Sequence, residues 1–242
     1  MAVIHLVRLE NVPIFRQLQL EEALLRGSNA NWCLLNDGSS EAIVMGISGQ
    51  IEKLIDPLEY SKFSVPIIRR FSGGGTVYVD HNTCFVTMIC NKSCTAVSPY
   101  PDQVMKWNAE LYHSILKKHG FSLRENDYVL NDRKCGGNAQ YLSKNRWLHH
   151  SSLLYDFHSH KMNILKIPPK MPAYRDLRGH DQFLCSLKSV GISKKMFFDS
   201  YVESLYQKFN VIETDQSKAE QFLNTPHRKT TTFVSFQTSS CN

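Results

Sequence analysis

The chain has 242 residues, with 42% hydrophobic residues, 21% charged residues and a formal net charge of +6. These values are typical of a globular domain and exclude intrinsically disordered and fibrous proteins. No apolar run approaches the roughly 18 residues that a membrane-spanning helix needs. The basic excess is mild and dispersed, unlike that of a nucleic-acid-binding surface. We therefore expect neither a membrane nor a nucleic acid among the partners.

Seven cysteines occur in the chain, an odd number in a protein long enough to form a core without disulfide bonds. We find no secretory signal before them and expect reduced thiols. Four histidines lie close together in the sequence, at positions 149, 150, 158 and 160. They have no cysteines or carboxylates at a usual metal-ligand spacing, so we expect no structural metal ion.

The first half of the chain predicts one helix followed by several short strands. Residues 4–9 alternate apolar and polar side chains, as a half-buried strand does. Residues 13–26 predict a helix that ends at Gly27, and of Glu21 and Glu22 inside it we expect one to point inward. Apolar runs bounded by turn residues predict strands at Trp32–Leu35, Ala42–Met45, Pro66–Arg69, Thr76–Val79 and Cys84–Ile89.

The second half contains the longest predicted helix, from Pro101 to His119. Its apolar stripe is formed by Val104, Trp107, Leu111 and Ile115. Strands are predicted around Lys134 and from Trp147 to Phe157, and a last helix over Lys195–Phe209.

The order of these elements predicts an α+β domain, in which a mixed or antiparallel central sheet carries helices on one face. We assign residues 1–212 to this domain. Residues 213–242 are polar and show no periodicity, and we expect them to form a loose tail with no accessory domain.

Three successive glycines form the strongest local signal, within Arg69-Arg70-Phe71-Ser72-Gly73-Gly74-Gly75-Thr76-Val77-Tyr78. Such a run indicates a positive φ angle or a close approach to another group, because glycine is costly in backbone entropy. Its amides can bind a phosphate or a carboxylate, and the two arginines add charge. The spacing is not that of a P-loop. A tight hairpin and an anion site are equally compatible with these residues alone.

A second segment places a lysine before another glycine pair, in Lys134-Cys135-Gly136-Gly137-Asn138-Ala139-Gln140. A short polar cluster follows at His149-His150-Ser151-Ser152 and leads into an apolar strand. A lone lysine is usually a surface residue. One flanked by glycines and amides in a strand is a better candidate for holding an anionic ligand.

Together these segments resemble the lipoate–protein ligase A and lipoyl/octanoyltransferase family of the biotin/lipoate ligase superfamily, and most of all its plant-type members. The family pattern runs RR-x-S-GGG-[AT]-V, N-T-x-F, N-D, [GD]-R-K-x-x-G-[NS]-A and H-H-x-[ST]-L-L. The chain supplies these motifs in the same order, as Arg69–Val77, Asn82–Phe85, Asn126-Asp127, Asp132–Ala139 and His149–Leu154. A weaker similarity to plant-type members covers Pro172–Cys185.

The resemblance implies the α+β catalytic-domain fold of biotin and lipoate ligases and an enzyme that attaches lipoyl or octanoyl groups to a lysine. The acceptors are lipoyl domains of 2-oxoacid dehydrogenases and the glycine cleavage H protein. The ligases activate lipoate or octanoate with ATP and Mg²⁺ as an acyl-AMP. The transferases take octanoate from acyl carrier protein, often through a cysteine thioester.

By match to the family motif, Lys134 is the predicted catalytic residue, which stabilises negative charge on the acyl and phosphate oxygens. The resemblance implies that the acyl adenylate contacts Arg70, Ser72, Gly73, Gly74, Gly75, Thr76, Val77, Asn138, Ala139, His149 and His150. A structural role is equally compatible with either histidine. Asn126 and Asp127 match positions linked to the nucleotide and Mg²⁺. For the acyl tail we expect an apolar slot formed by Val77, Phe85 and Leu153.

Departures from the family pattern leave alternatives open. Gly46 is followed by Ile47-Ser48-Gly49-Gln50, where family ligases usually have Arg-x-Gln-Asn, so one polar contact to the nucleotide is missing from the pattern. Bacterial ligases also carry a C-terminal accessory domain, which we do not expect here. The chain is then a complete ligase, a ligase half that needs a separate accessory subunit, or a transferase.

A transferase that forms a thioester needs a nucleophilic cysteine. Cys135 is the first candidate, because the neighbouring ammonium of Lys134 would lower its pKa, and Cys185 is the second. A small core residue is the more frequent role for such a cysteine. A non-catalytic binder of lipoyl domains is a third possibility, whereas a biotin ligase is disfavoured because its GRGRxx pattern is absent.

Lipoyl domains and acyl carrier protein are generally acidic, which suits a protein of net charge +6. The compartment that contains the lipoyl acceptors sets the compartment that we expect for this protein. We expect the mitochondrial matrix if the source is eukaryotic and the cytoplasm if it is bacterial.

Overall fold

A computed structural model describes residues 1–95, 97, 100–167 and 171–236 of the chain. The helices are α1 (Ile14–Gly27), α2 (Ile51–Leu54), α3 (Pro57–Ser61), α4 (Pro101–Glu110), α5 (His113–Leu116), α6 (Ser159–Met162), α7 (His180–Phe183), α8 (Lys194–Lys208) and α9 (Gln216–Glu220). The strands are β1 (Val3–Leu9), β2 (Trp32–Asn36), β3 (Ala42–Met45), β4 (Ile67–Arg69), β5 (Thr76–Val79), β6 (Thr83–Asn91), β7 (Phe121–Arg124), β8 (Asp127–Leu130), β9 (Arg133–Leu142), β10 (Arg146–Leu154), β11 (Asn210–Glu213) and β12 (Thr232–Val234). None of these helices is long and apolar enough to cross a membrane.

The strands form two mixed sheets. The larger has the order β11-β1-β2-β6-β10-β9-β8-β7 and the smaller the order β12-β4-β3-β5. In the larger sheet β1 is parallel to β11 and β2, and the remaining pairs are antiparallel. The predicted α+β class with a mixed sheet is confirmed. The second sheet was not foreseen.

Helices and strands cover both faces of the larger sheet, which therefore carries more than the one helical face that we expected. On one face, α4, α5 and α8 contribute apolar side chains such as Val104, Ile115 and Phe197 to a core that also contains Trp147. On the other face lie α1 and the smaller sheet, whose side chains form separate buried clusters. The space between the two sheets on this second face holds the site described below.

The predicted helix from Pro101 to His119 is interrupted. Helix α4 ends at Glu110 and α5 begins at His113, and a 3-10 turn follows at Lys117–His119. The two intervening residues, Leu111 and Tyr112, are both fully buried. Neighbouring residues on a straight helix point about 100° apart, so the break lets both side chains reach the core.

The C-terminal segment is not the loose tail that we expected. As far as Phe236 it contains part of β11, helix α9, a 3-10 turn and strand β12, which pairs with β4. The buried carboxylate of Glu22 accepts hydrogen bonds from the amides and hydroxyls of Thr230 and Thr231. Polar contacts, strand pairing and apolar contacts such as that between Phe233 and Phe15 hold this segment, although its sequence has no apolar periodicity that would predict them. Residues 237–242, including Cys241, lie outside the described part of the chain.

Candidate active site

A cavity of about 230 Å³ lies between strands β9 and β10 of the larger sheet and strand β5 of the smaller one. Its apolar walls are formed by Leu54, Val77, Leu154, Met162, Leu165, Phe183 and Leu184. Its polar and charged lining includes Thr76, Asp127, Lys134, Lys166, Arg175 and His180. Charged groups beside an apolar chamber suit a ligand with an anionic head and an apolar tail.

A β-bulge directs Lys134 into this cavity. Val129 of β8 pairs with Lys134, whereas the preceding Tyr128 pairs with Gly136, so Cys135 is an extra residue on β9. Bulges re-aim the side chains beside them. Here Cys135 points into the core and Lys134 lines the cavity.

Lys134 belongs to a chain of three polar side chains. Its Nζ lies 2.7 Å from Oδ1 of Asp127, and the hydroxyl of Tyr174 donates to Oδ2 of the same carboxylate at 2.9 Å. Burial, with the adjacent Asp127, raises the pKa of Tyr174, which keeps its hydroxyl a donor. The side chain of Lys134 remains 26% exposed, so the ammonium is oriented by Asp127 and still accessible to a ligand.

Arg70 holds the glycine loop through hydrogen bonds to its carbonyl oxygens. Its guanidinium donates to the carbonyls of Gly73 and Gly75 at 2.8–3.1 Å and to that of Val44 at 3.4 Å. Gly74 has φ of +103°, and a Cβ there would lie 2.6 Å from Nη2 of Arg70. The loop therefore needs glycine at this position, and Arg70 shapes the loop rather than lining the cavity.

The front of the loop faces the cavity. Of the loop residues predicted to contact the acyl adenylate, Gly75, Thr76 and Val77 line this cavity, and the buried hydroxyl of Thr76 has no hydrogen-bond partner within the described residues. Gly73 and Gly74 lie in the loop outside the cavity wall, and Ser72 is buried behind it. A hydroxyl without a partner beside an apolar chamber is a group that a bound ligand can satisfy.

The two histidines of β10 lie on opposite faces of the sheet. His149 is buried in the helical layer, with Nε2 2.6 Å from the hydroxyl of Tyr128. Burial, helped by His150, lowers the pKa of His149 to about 3. His150 lies on the other face, where Nδ1 is 2.8 Å from Oε1 of the buried Glu21. Glu21 is thus an inward-pointing carboxylate of α1, and neither histidine lines the cavity.

The remaining predicted contacts divide between the cavity and the adjoining strand. Asp127 lines the cavity, whereas the carbonyl of Asn126 accepts a 2.7 Å hydrogen bond from the side chain of Asn138. Ala139 is buried beneath the glycine loop, with Cα 3.7 Å from where a Cβ on Gly74 would lie. Asn126, Asn138 and Ala139 therefore support the site from outside its wall.

Of the three residues expected to form a slot for the acyl tail, only Val77 lines this cavity. Phe85 packs with Ile14 and Leu18 of α1, and Leu153 points into the helical layer. Side chains alternate along β10, so the cavity receives Ser152 and Leu154 instead. The prediction therefore named Leu153, whereas its two neighbours on the strand face the cavity.

The two cysteines considered as nucleophiles are both buried. Burial raises the pKa of Cys135 well above its usual value, and its Sγ donates to the carbonyl of Tyr128. Burial also raises the pKa of Cys185, whose Sγ donates to the carbonyl of Arg133. Neither thiol lines the cavity. Both are small core residues in this fold.

The segment from Pro172 to Leu184, which we call the strap, covers the cavity and was absent from the predicted site. It contributes Pro172, Arg175, His180, Phe183 and Leu184 to the lining. The amide of Cys185 donates to the carbonyl of Lys134 at 2.9 Å, which ties the strap to β9. The signal was present in the sequence, since three basic residues and two aromatic ones lie within this short stretch.

A second cavity of about 420 Å³ lies between α1 and the C-terminal segment. It is lined mainly by polar and charged residues, and Lys134 and the glycine loop are not among them. We therefore place the chemistry in the cavity beside Lys134.

Residues 13–210 of the chain match the family model for the lipoyl protein ligase A/B catalytic domain. The chain belongs to this family. Within it, the chain is similar to the protein of Plasmodium falciparum described as inactive lipoate–protein ligase 2, with 28% identity over 246 residues, 77% of this chain and 64% of that protein. It is also 28% identical to the lipoate-protein ligase LplJ of Bacillus subtilis over 130 residues, 52% of this chain and 38% of that protein. The chain spans about a third to two thirds of the length of the first curated relatives it matches.

Solved structures of the family share the fold. A lipoate-protein ligase A bound with ATP has a TM-score of 0.74 at 14% identity, with 92% of both chains covered. A structure from Thermoplasma acidophilum, described under a bipartite lipoate protein ligase and its E2 lipoyl domain, has a TM-score of 0.73 at 17% identity, covering 92% of this chain and 91% of that chain. The predicted lipoate-ligase catalytic-domain fold is thereby confirmed.

Proposed function

We propose that the protein transfers a lipoyl or octanoyl group from an acyl adenylate to the lysine of a lipoyl domain. The observation that carries this proposal is the position of Lys134, whose ammonium lies at an apolar cavity and is oriented by Asp127. The acceptor lipoyl domains of 2-oxoacid dehydrogenases and the H protein lie in the mitochondrial matrix of a eukaryote or the cytoplasm of a bacterium, where we place the reaction.

The cavity offers what acyl transfer requires. An amine that attacks the acyl carbon forms an amide bond and expels AMP, and negative charge develops on oxygen before the adenylate bond breaks. Lys134 and the free hydroxyl of Thr76 are donors for that charge, and removing one such donor typically costs about 2.7–4 kcal/mol of barrier. The apolar walls, including Leu154 and Met162, would hold the acyl tail.

Similar solved structures support these substrates. One is bound with ATP, another from Thermoplasma acidophilum holds lipoic acid, and a third is described as part of a lipoylation system of a bipartite ligase and its E2 lipoyl domain. In a ligase the magnesium ion enters with ATP as substrate. Within the described residues, no group of three or more His, Cys, Asp and Glu side chains could hold a metal ion.

An adenylate donor fits the site better than a cysteine thioester. Cys135 and Cys185 are buried outside the cavity, and no described cysteine lines it. An acyl carrier protein could not deliver its group to either thiol without opening the core. The direct route, in which the acyl adenylate occupies the cavity, needs no such opening.

A second candidate is a transferase that receives a ready-made acyl adenylate instead of forming it from ATP. The turn after Gly46 favours it, because Ile47 and Ser48 stand where family ligases have polar nucleotide contacts and Ile47 is 49% exposed. The similar protein from Plasmodium falciparum is described as inactive. A non-catalytic binder is less compatible with the oriented lysine.

In the test, the protein is mixed with an apo lipoyl domain and one of four acyl donors, in parallel reactions. The mass of the lipoyl domain is then measured. The donors are lipoate with Mg·ATP, octanoate with Mg·ATP, purified octanoyl-AMP and octanoyl-acyl carrier protein. We expect one acyl group to be added from octanoyl-AMP, and additionally from the ATP mixtures if the protein is a complete ligase. Modification only from acyl carrier protein, or from no donor, would overturn the proposal.

A further inference from the structure

Arg175 is a buried cation whose hydrogen-bonding capacity is not used. The residue is only 4% exposed, and its Nη2 has no hydrogen-bond partner within the described residues. Its side chain lines the same cavity as Lys134. Buried guanidinium donors are normally satisfied, so an unsatisfied one beside a cavity indicates a missing acceptor.

The strap holds this guanidinium in a defined place. Its Nε donates to the carbonyl of Arg178 at 2.9 Å, and its Cζ lies 4.6 Å above the ring of Phe183. Arg178 in turn donates to the side chain and the carbonyl of Asp132, each at 3.0 Å. The guanidinium of Arg175 is therefore held at Nε by a hydrogen bond and on one face by the ring of Phe183. Its Nη2 donors stay available to a ligand.

The charge of the cavity favours an anion. Among the described residues, three cationic side chains line it, those of Lys134, Lys166 and Arg175, against one carboxylate, that of Asp127. Lys134 is paired with that carboxylate at 2.7 Å, whereas Arg175 forms no ion pair with a described residue. A planar guanidinium fork is the side chain best matched to a carboxylate or a phosphate.

We propose that Arg175 is a ligand-binding residue that holds the oxyanion of the acyl substrate, together with Lys134 on the adjoining strand β9. The anion is a singly charged oxygen group beside the acyl chain, either the phosphodiester of an acyl adenylate or the carboxylate of the free acid. This inference deepens the proposed function and rests on it. It assigns the strap a direct part in substrate binding.

The test measures binding of three octyl ligands to the full chain by calorimetry at pH 7. Octyl adenylate carries the phosphodiester, octanoate carries the carboxylate, and octanamide is the neutral counterpart. The variants are Arg175→Gln, Arg175→Lys and, as a matched control on the surface, Arg228→Gln, since Arg228 is exposed. Thermal unfolding of each variant checks that the strap substitution leaves the fold intact.

We expect Arg175→Gln to weaken binding of one or both anions by about tenfold or more, as for a lost charged hydrogen bond, and to leave octanamide binding unchanged. Loss for octyl adenylate alone assigns the phosphodiester, and loss for octanoate assigns the carboxylate. Arg175→Lys, which keeps the charge without the fork, should lose less, and it decides the matter if Arg175→Gln does not fold.

Unchanged affinity for both anions in the Arg175 variants would overturn the inference alone, and so would an equal loss for the neutral amide. If the parent protein binds none of the three ligands, the proposed function fails with it.

Discussion

The carboxylate of Asp127 joins Lys134 of β9 to the strap, because one oxygen lies 2.7 Å from the lysine ammonium and the other accepts the hydroxyl of Tyr174. The bulge at Cys135 makes this contact possible, since it turns Lys134 toward the cavity. The orientation of the proposed catalytic lysine thus depends on a residue of the neighbouring strand.

Replacing Asp127 by Asn should misplace that lysine. We expect acyl transfer to fall by about tenfold or more, because small displacements of a reacting group cost this much. Tyr174→Phe, which leaves the ion pair intact, should have a smaller effect. Transfer to a lipoyl domain measures both. Asp199→Asn is the control, since Asp199 forms an exposed ion pair with Lys195. Equal rates for the Asp127 and Asp199 variants would contradict this role.

Gly74 and Gly73 give a matched pair in the glycine loop. An alanine at Gly74 would be strained at φ of +103° and would meet Arg70, whereas a Cβ at Gly73 meets nothing within 4 Å. We expect Gly74→Ala to lower the free energy of unfolding by about 1–3 kcal/mol and to impair transfer, with Gly73→Ala close to the parent in stability. Urea unfolding and the transfer assay measure both quantities. A Gly74→Ala protein as stable as the Gly73→Ala protein would refute the loop geometry.

Cys135→Ala tests the thioester route. Because the thiol is buried away from the cavity and its pKa is raised by burial, we expect transfer to be retained despite a loss of about 1–2 kcal/mol in stability from the smaller side chain. Cys84→Ala is the control, since Cys84 is equally buried. Loss of transfer in the Cys135 variant alone, with an acyl group found on Cys135 in the parent, would show that a thioester forms.

His149 should make stability sensitive to acid. Its folded-state pKa of about 3 lies below the ordinary value of 6.5, so the unfolded chain binds a proton that the folded chain does not. The stabilisation is complete above about pH 6.5 and falls as the pH drops toward 3, by about 1 kcal/mol per pH unit. Urea unfolding of His149→Gln between pH 7 and 5 should show a shallower decline than the parent or His113→Gln. Parallel declines would contradict the burial of a neutral imidazole.

The sequence predicted the elements with strong local patterns. Strands β3 and β5 have the predicted limits, and α8 differs by one residue at each end. Of the residues that the ordered motifs assigned to the site, Lys134, Asp127 and residues 75–77 line one cavity. Their roles in binding remain predictions.

The sequence could not assign each motif residue to the cavity or to its support. Whether Arg70 contacts a ligand or the loop carbonyls depends on the path of the loop. The face of the sheet on which the side chain of His149 lies depends on strand register. A shift of one residue along a strand reverses the face that a side chain meets. The strap was not predicted to be part of the site because irregular segments have no periodicity. Their position depends on tertiary contacts such as that between Cys185 and Lys134.

The measurement that tests the account most directly is the single-turnover rate of octanoyl transfer from octanoyl-AMP to an apo lipoyl domain, for the parent and Lys134→Ala. Lys144→Ala, at an exposed lysine, is the control. We predict that the Lys134 variant is slower by about 10²–10³-fold, as for the loss of one donor to a developing oxyanion, and that the control equals the parent. A Lys134→Ala rate equal to that of Lys144→Ala would contradict the central claim that Lys134 stabilises the charge formed in the transfer.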